Sequence, residues 1–194
     1  ISLSLVVREL LKYAKTNKEV KKILNEGKIL VNNKPIKDQH QNLGIMDVIS
    51  IPELKEHYIL IKNEKGKFKL LKKDEKVTQG KLCKIVGKNI LKKGKMQLLF
   101  FNGQTKLVEK DEYKTGDSLI VNFKTNKVDK HLKFAKGSNI YVTGGKKVGV
   151  VGKLEEINKI KEDIENIIIN VKGKKIETSK KYALVIGDLE IWKK

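Results

Sequence analysis

Between residues 53 and 135 the chain is interrupted by turn signals at short intervals. Apolar alternation over 58–61 and 68–71 flanks Glu64-Lys65-Gly66-Lys67. Residues 96–101 meet 104–108 across Asn102-Gly103, a pair that favours tight hairpins because both residues tolerate positive φ. A further turn separates 119–123 from 127–131. Short strands joined this often predict a small barrel-like β unit. Lys92-Lys93-Gly94-Lys95 reads as a charged loop tip. From residue 136 strands are expected again, at 139–143, 148–154, 167–171, 174–178 and 182–186. Residues 155–166 interrupt them with Glu155, Glu156, Glu162, Asp163 and Glu165. They read as a loop or short helix whose acids turn away from any phosphate surface.

The first 52 residues read differently. Leu3, Val7, Leu10, Leu11 and Ala14 recur at three- and four-residue spacing, the stripe of an amphipathic helix. Thr16-Asn17-Lys18-Glu19 has the form of a capping box. It opens a second helix with Val20, Ile23 and Leu24 inward, which Gly27 ends. A short strand at 28–31, a turn at Asn32-Asn33, a return at 34–36 and a closing strand at 46–51 follow, stopped by Pro52. The expected class is α+β and multidomain. Its parts are a small α/β unit over 1–52, a central β unit over 53–135 and a C-terminal β unit over 136–194.

Charge narrows the function. The 194 residues hold 43 Lys and Arg against 23 Asp and Glu, a formal net charge of +20. The excess is spread: nine bases against five acids over 1–52, 21 against 10 over 53–135, and 13 against 8 over 136–194. Such a balance argues for a polyanionic partner met along the whole length. Arg8 is the sole arginine. Lysine meets phosphate as a point charge, whereas arginine forks onto base edges, so backbone and shape recognition are expected. Lysine richness can also follow from an AT-rich genome, which accounts for the choice of base but not for the net charge.

Catalytic and metal chemistry find little support. His40, His57 and His131 are far apart, and the single Cys83 sits in an alternating strand as a small apolar residue. Gly144-Gly145-Lys146-Lys147 lacks the spacing and the following Ser or Thr of a phosphate-binding loop. Asp38 and Asp47 could pair as carboxylates, but their turn and strand-end positions suit structural roles better. No apolar run reaches the ~18 residues of a membrane span. No signal peptide is read at the start. No cofactor, membrane or small-molecule substrate is expected, and the cytoplasm is the default location.

Two stretches carry a family resemblance. Residues 3–51, with the Thr-x-x-Glu helix start and Glu26-Gly27-Lys28-Ile29-Leu30-Val31-Asn32, resemble the S4-type RNA-binding domain. Arg8 falls where that family carries a basic residue on its first helix. Arg8, Lys12, Lys18, Lys21, Lys22, Lys28, Asn33 and Lys34 are the candidate RNA contacts of this part. The run Gly145-x3-Gly149-x2-Gly152-x-Leu154 resembles a KOW motif, found in small SH3-like barrels. That likeness gives Gly152 the tight turn and Lys146, Lys147 and Lys153 the contact surface; an ordinary hairpin with solvated lysines is the alternative.

Taken with residues 43–52, 81–85 and 137–145, the whole chain resembles the S4e family of small-subunit ribosomal proteins, closer to the archaeal form. The resemblance implies a structural ribosomal protein on the cytoplasmic ribosome, with ribosomal RNA and neighbouring ribosomal proteins as partners. It also implies a basic N-terminal extension ahead of Ile1, trimmed or disordered. The alternatives are an RNA-modifying or RNA-binding accessory factor acting off the ribosome, and a transcription elongation factor. The last leaves residues 3–51 unexplained, and 53–194 show no motif of the catalytic domains that accompany S4-type domains in enzymes.

Overall fold

The computed structural model describes residues 1–91, 95–109, 111–161 and 164–187. Most of the loop tip at 92–95, together with Glu162 and Asp163, lies outside the described residues. The protein is mainly β, with its principal helices confined to the first 25 residues. Helix α1 spans Leu3–Leu5, a π-helical turn spans Val6–Leu10, and α2 spans Asn17–Asn25. Fifteen strands follow among the described residues, in three five-stranded sheets.

Helix α2 forms as its caps dictate. The Thr16 hydroxyl accepts from the Glu19 amide at 3.3 Å, and the Glu19 carboxylate accepts from the Lys15 amide at 2.7 Å. The capping box is thus closed one residue further back than its usual partner. At the other end the Gly27 amide reaches the Leu24 carbonyl and the Lys28 amide reaches the Ile23 carbonyl, with Gly27 at φ 71°. That pair of bonds is a Schellman stop. The first helix departs from its apolar stripe: Leu11 and Tyr13 amides bond to Val6 and Val7 carbonyls, and Lys12 takes φ 61°. Ala14 is buried as the stripe required, but beyond the helix.

The first sheet comprises β1 (Leu30–Val31), β2 (Lys34–Pro35), β3 (Val48–Ile51), β4 (Glu56–Lys62) and β5 (Phe68–Lys73), in the order β2-β1-β3-β4-β5. Asn32 and Asn33, at φ 51° and 63°, form the two-residue type I′ turn between β1 and β2. Strand β3 pairs with β4, so hydrogen bonding runs across Pro52. The sheet is buried on both faces by its period-two alternation. Ile49, Ile51 and Leu60 meet Leu3, Val6, Val7, Val20 and Leu24 of the helices. Val48 and Ile59, with Met46, meet Tyr141, Leu184 and Ile186 from the C-terminal part. Each such side chain contributes about 1.5–3 kcal/mol on burial.

The central sheet comprises β6 (Gly80–Ile90), β7 (Met96–Phe100), β8 (Thr105–Val108), β9 (Ser118–Asn122) and β10 (Val128–Leu132), in the order β10-β9-β6-β7-β8. The hairpin at Asn102-Gly103 is present, one residue out of the expected step. Phe100 and Gly103 amides close a three-residue loop, and only Gly103 takes positive φ. That is the loop with a glycine bulge rather than the type I′ turn.

The third sheet comprises β11 (Asn139–Val142), β12 (Val151–Lys161), β13 (Ile164–Val171), β14 (Lys174–Ser179) and β15 (Ala183–Val185), ordered β14-β13-β12-β11-β15. Two expectations fail here. Residues 155–161 and 164–166 are neither loop nor helix but the far half of the β12–β13 hairpin. Residues 148–150 are not strand, because the chain stays in a loop from 143 until β12 begins at Val151.

Candidate nucleic-acid interface

Most candidate lysines of the N-terminal part lie where solvent or a ligand can reach them. Lys18, Lys21 and Lys22 are exposed on α2, Lys12 in the turn after the first helix, and Asn33 and Lys34 at the type I′ hairpin. Val20 and Leu24 of α2 are fully buried, so the sheet fixes which face the helix lysines share. Arg8 is less free. One of its terminal nitrogens donates to Asn17 Oδ1 at 3.2 Å, tying the π turn to the start of α2, and another lies 3.6 Å from Glu9. Its Nε is buried and finds no hydrogen-bond partner among the described residues.

Lys28 departs furthest from the role expected of it. Its amine lies 2.9 Å from Glu26 and 3.8 Å from Glu53. Glu26, then Glu53, hold the amine above the ordinary lysine range, and Lys28 in turn holds the Glu26 carboxyl below its own. Its charge is largely answered within the protein.

The glycine-lysine loop is built against the first sheet. A Cβ on Gly149, at φ 81°, would lie 2.2 Å from the Asn63 carbonyl carbon and 2.5 Å from the Glu64 nitrogen. A Cβ on Gly66 would touch Val148 at 3.6 Å. The loop carrying exposed Lys146 and Lys147 therefore docks on the turn carrying exposed Lys65 and Lys67. Tyr141 fixes the same junction: its hydroxyl accepts from the Lys62 amide at 2.8 Å and donates to the Lys62 carbonyl at 2.9 Å. Lys153 is exposed on β12, opposite Asn139. Gly152 does not make the turn. It sits within β12, and a Cβ there would lie 2.5 Å from the Asn170 carbonyl oxygen, so its role is close strand packing.

Two groups of the sequence reading fall to structure rather than to ligand. Asp47 is buried against Lys81, accepts from Asn32 Nδ2 at 2.8 Å and from the Gly44 amide at 2.7 Å. Asp38 accepts from the His40 amide at 2.8 Å. Cys83 is buried and its thiol is pushed up to about 11, chiefly by burial, which leaves it unreactive. Among the described residues no group of three or more His, Cys, Asp or Glu could hold a metal ion.

Lys65 and Lys67 join the candidate surface, and sequence reasoning had seen them only as parts of a turn. Buried charge was missed as well. Lys84 on β6 donates to the Lys180 and Lys181 carbonyls at 2.8 and 2.9 Å, and burial, with the nearby Lys180 charge, brings its amine down to about 8. Glu56 takes Tyr13, Tyr58 and Lys72 on one carboxylate; Lys72 leads in holding it down at about 2.

Comparison with known proteins bears on the family and the fold. Residues 6–49 match the S4 domain and residues 54–128 match ribosomal family S4e. Over 200 residues the chain is 40% identical to small ribosomal subunit protein eS4 of Methanococcus maripaludis strain C7, covering 98% of this chain and 81% of that one. The protein of the same name from Methanocaldococcus jannaschii is 38% identical over the same shares. The crystal structure of 30S ribosomal protein S4e from Thermoplasma acidophilum superposes with a TM-score of 0.83 at 27% identity, over 98% of this chain and 96% of the other. With its fold and nearly its whole length shared, the chain belongs to the S4e family of small-subunit ribosomal proteins.

Proposed function

We propose that the protein is a structural constituent of the small ribosomal subunit and binds ribosomal RNA through lysines displayed on its N-terminal helix and on its two docked turns. The carrying observation is the exposed set Lys12, Lys18, Lys21, Lys22 and Lys34 on a scaffold that matches the S4 domain. Arg8 then positions α2 through Asn17, and Asn33 shapes the hairpin. Lys146, Lys147 and Lys153, joined by Lys65 and Lys67, form a second contact region. Lys28 is the weakest member of the set because Glu26 holds it.

Lysines on a fixed framework neutralise phosphates and release counterions, while the framework sets their register. The family is ribosomal, so the protein is not an enzyme and its place is the ribosome. Three units suit this role: residues 1–52 as an S4-like domain, 53–135 as a barrel-like β domain whose first two strands, β4 and β5, complete the sheet of the first unit, and 136–194 as an SH3-like KOW domain. Many weak contacts along such a chain sum to one stable placement. Neighbouring ribosomal proteins are the expected protein partners.

Co-sedimentation with small subunits through a high-salt wash tests the placement. Retention at about one copy per subunit is expected for a structural component bound by many contacts. Release into the soluble fraction would point to an accessory factor acting off the ribosome. Replacing Arg8, Lys12, Lys22 and Lys34 together should weaken RNA binding. The slope of log K against log salt should fall by roughly 0.7–0.9 for each phosphate that the protein no longer neutralises.

A further inference from the structure

The Asn32-Asn33 turn stands between two grooves that separate the first sheet from the central one. The first groove, about 780 Å³, has Asn32, Lys34 and Gln41 on one wall and Gln104, Lys106 and Phe123 on the other. The described residues lining it include no Asp or Glu. The second, about 770 Å³, shares Phe123 and adds Asn33, Lys55 and Lys124, but Asp74 and Glu75 also line it. Both volumes fall in the range of about 300–1,000 Å³ that encloses a small organic molecule.

The acid-free groove is built rather than accidental. Its turn is held by Asn32, which donates to Asp47 at 2.8 Å and accepts from the Val48 amide at 3.0 Å. Lys81 pairs with the same Asp47 at the base of the groove. Lys106 is directed by a bond to the Asn126 carbonyl. Phe123 is half-buried, leaning on the cluster that holds Met46 and Val48, so its ring is braced while part of it stays open to both grooves. Walls of cations and amides around a fixed aromatic ring match an unpaired nucleotide: phosphate for the lysines, base edge for the amides, base face for the ring. A duplex keeps its base faces stacked inside and shows only backbone, 2′-hydroxyls and groove edges, so it has no base face to lay on the ring.

We propose that this groove takes an unpaired stretch of RNA, its backbone along Lys34 and Lys106 and one base against Phe123. The inference rests on the RNA-binding function above and adds a preference for single strands at a site apart from the α2 lysines. Gln41 and Gln104 offer the test, because both are exposed and a carboxylate at either repels an entering phosphate without disturbing the core.

The full chain is compared as wild type, as the Gln41→Glu/Gln104→Glu variant, and as an Asn158→Glu/Lys159→Gln variant with the same change in charge on β12. Binding of a short oligouridylate and of a blunt RNA duplex of equal length is followed by fluorescence anisotropy. The groove variant should lose on the order of tenfold for the oligouridylate and much less for the duplex, with the β12 variant near wild type for both. Crosslinking of wild type to 4-thiouridine-substituted oligouridylate should map to peptides holding Lys34, Lys106 or Phe123. Equal losses in both variants, or no loss in the groove variant, overturn the groove while RNA binding itself stands. Crosslinks confined to α2 do the same. A wild type that binds neither RNA overturns the groove and the RNA-binding function together.

Discussion

Replacing Gly149 with alanine separates docking from backbone strain. At φ 81° an L-residue costs about 1–2 kcal/mol relative to glycine. The new methyl would also fall 2.2 Å from the Asn63 carbonyl carbon, 2.4 Å from its oxygen and 2.5 Å from the Glu64 nitrogen. Backbone cannot rotate aside as a side chain does, so overpacking adds about 1–3 kcal/mol. The total is about 2–5 kcal/mol. Gly173 supplies the control: its φ is 85°, and a Cβ there meets nothing within 4 Å. Gly173→Ala should cost strain alone. Thermal unfolding of the two variants should therefore place the Tm of Gly149→Ala about 2–12 °C below that of Gly173→Ala. The Gly149 variant should also bind RNA more weakly, since the loop displaying Lys146 and Lys147 is unseated. Equal Tm values would show that the loop does not rest on the 63–66 turn, and the second contact region would go with it.

Thr16→Ala removes the hydroxyl that accepts from the Glu19 amide and should cost about 1 kcal/mol in urea unfolding; no change would mean the cap is not formed. Glu56 titrates at about 2 in the folded protein against 4.5 ordinarily, so its contribution is present above pH 4.5 and drains away as pH falls towards 2. Glu56→Gln should flatten that acid limb of the stability profile, and an unchanged limb would refute the assignment. Lys84, down at about 8 from 10.5, binds its proton less tightly when folded, so stability should rise with pH across 8 to 10.5. Lys84→Met should remove that rise, at most about 3 kcal/mol across the window, as read by denaturant unfolding at pH 8 and 10.5.

Local chemistry was legible wherever a few adjacent residues decide the backbone. Thr16 and Glu19 announce a helix start, Gly27 its end, and Asn32-Asn33 a turn, and each does what its side chain permits. The residues at 155–161 were misread because β12 carries irregularities between Leu154 and Glu156 and between Lys159 and Lys161. Each shifts the register and breaks the two-residue alternation by which a strand is recognised. The first helix was overextended because Ala14 continues the apolar spacing, although the chain reaches the core there by a different route after Lys12. In the candidate interface, residue types could be named from the sequence but not their commitments. Nothing near Lys28 in the sequence shows that Glu53 will stand beside it, and nothing near Gly149 points to Asn63. Both depend on strands that meet only in the folded chain.

The shared core of the first and third sheets has a consequence for synthesis. Met46, Val48 and Ile59 leave the ribosome early, but Leu184 and Ile186, which cover them, are made about 125 residues later. At ~5–20 residues per second that is roughly 6–25 s in which an apolar sheet face waits for its cover. The nascent protein is most vulnerable to aggregation in that interval, and the emergence of β15 is what ends it.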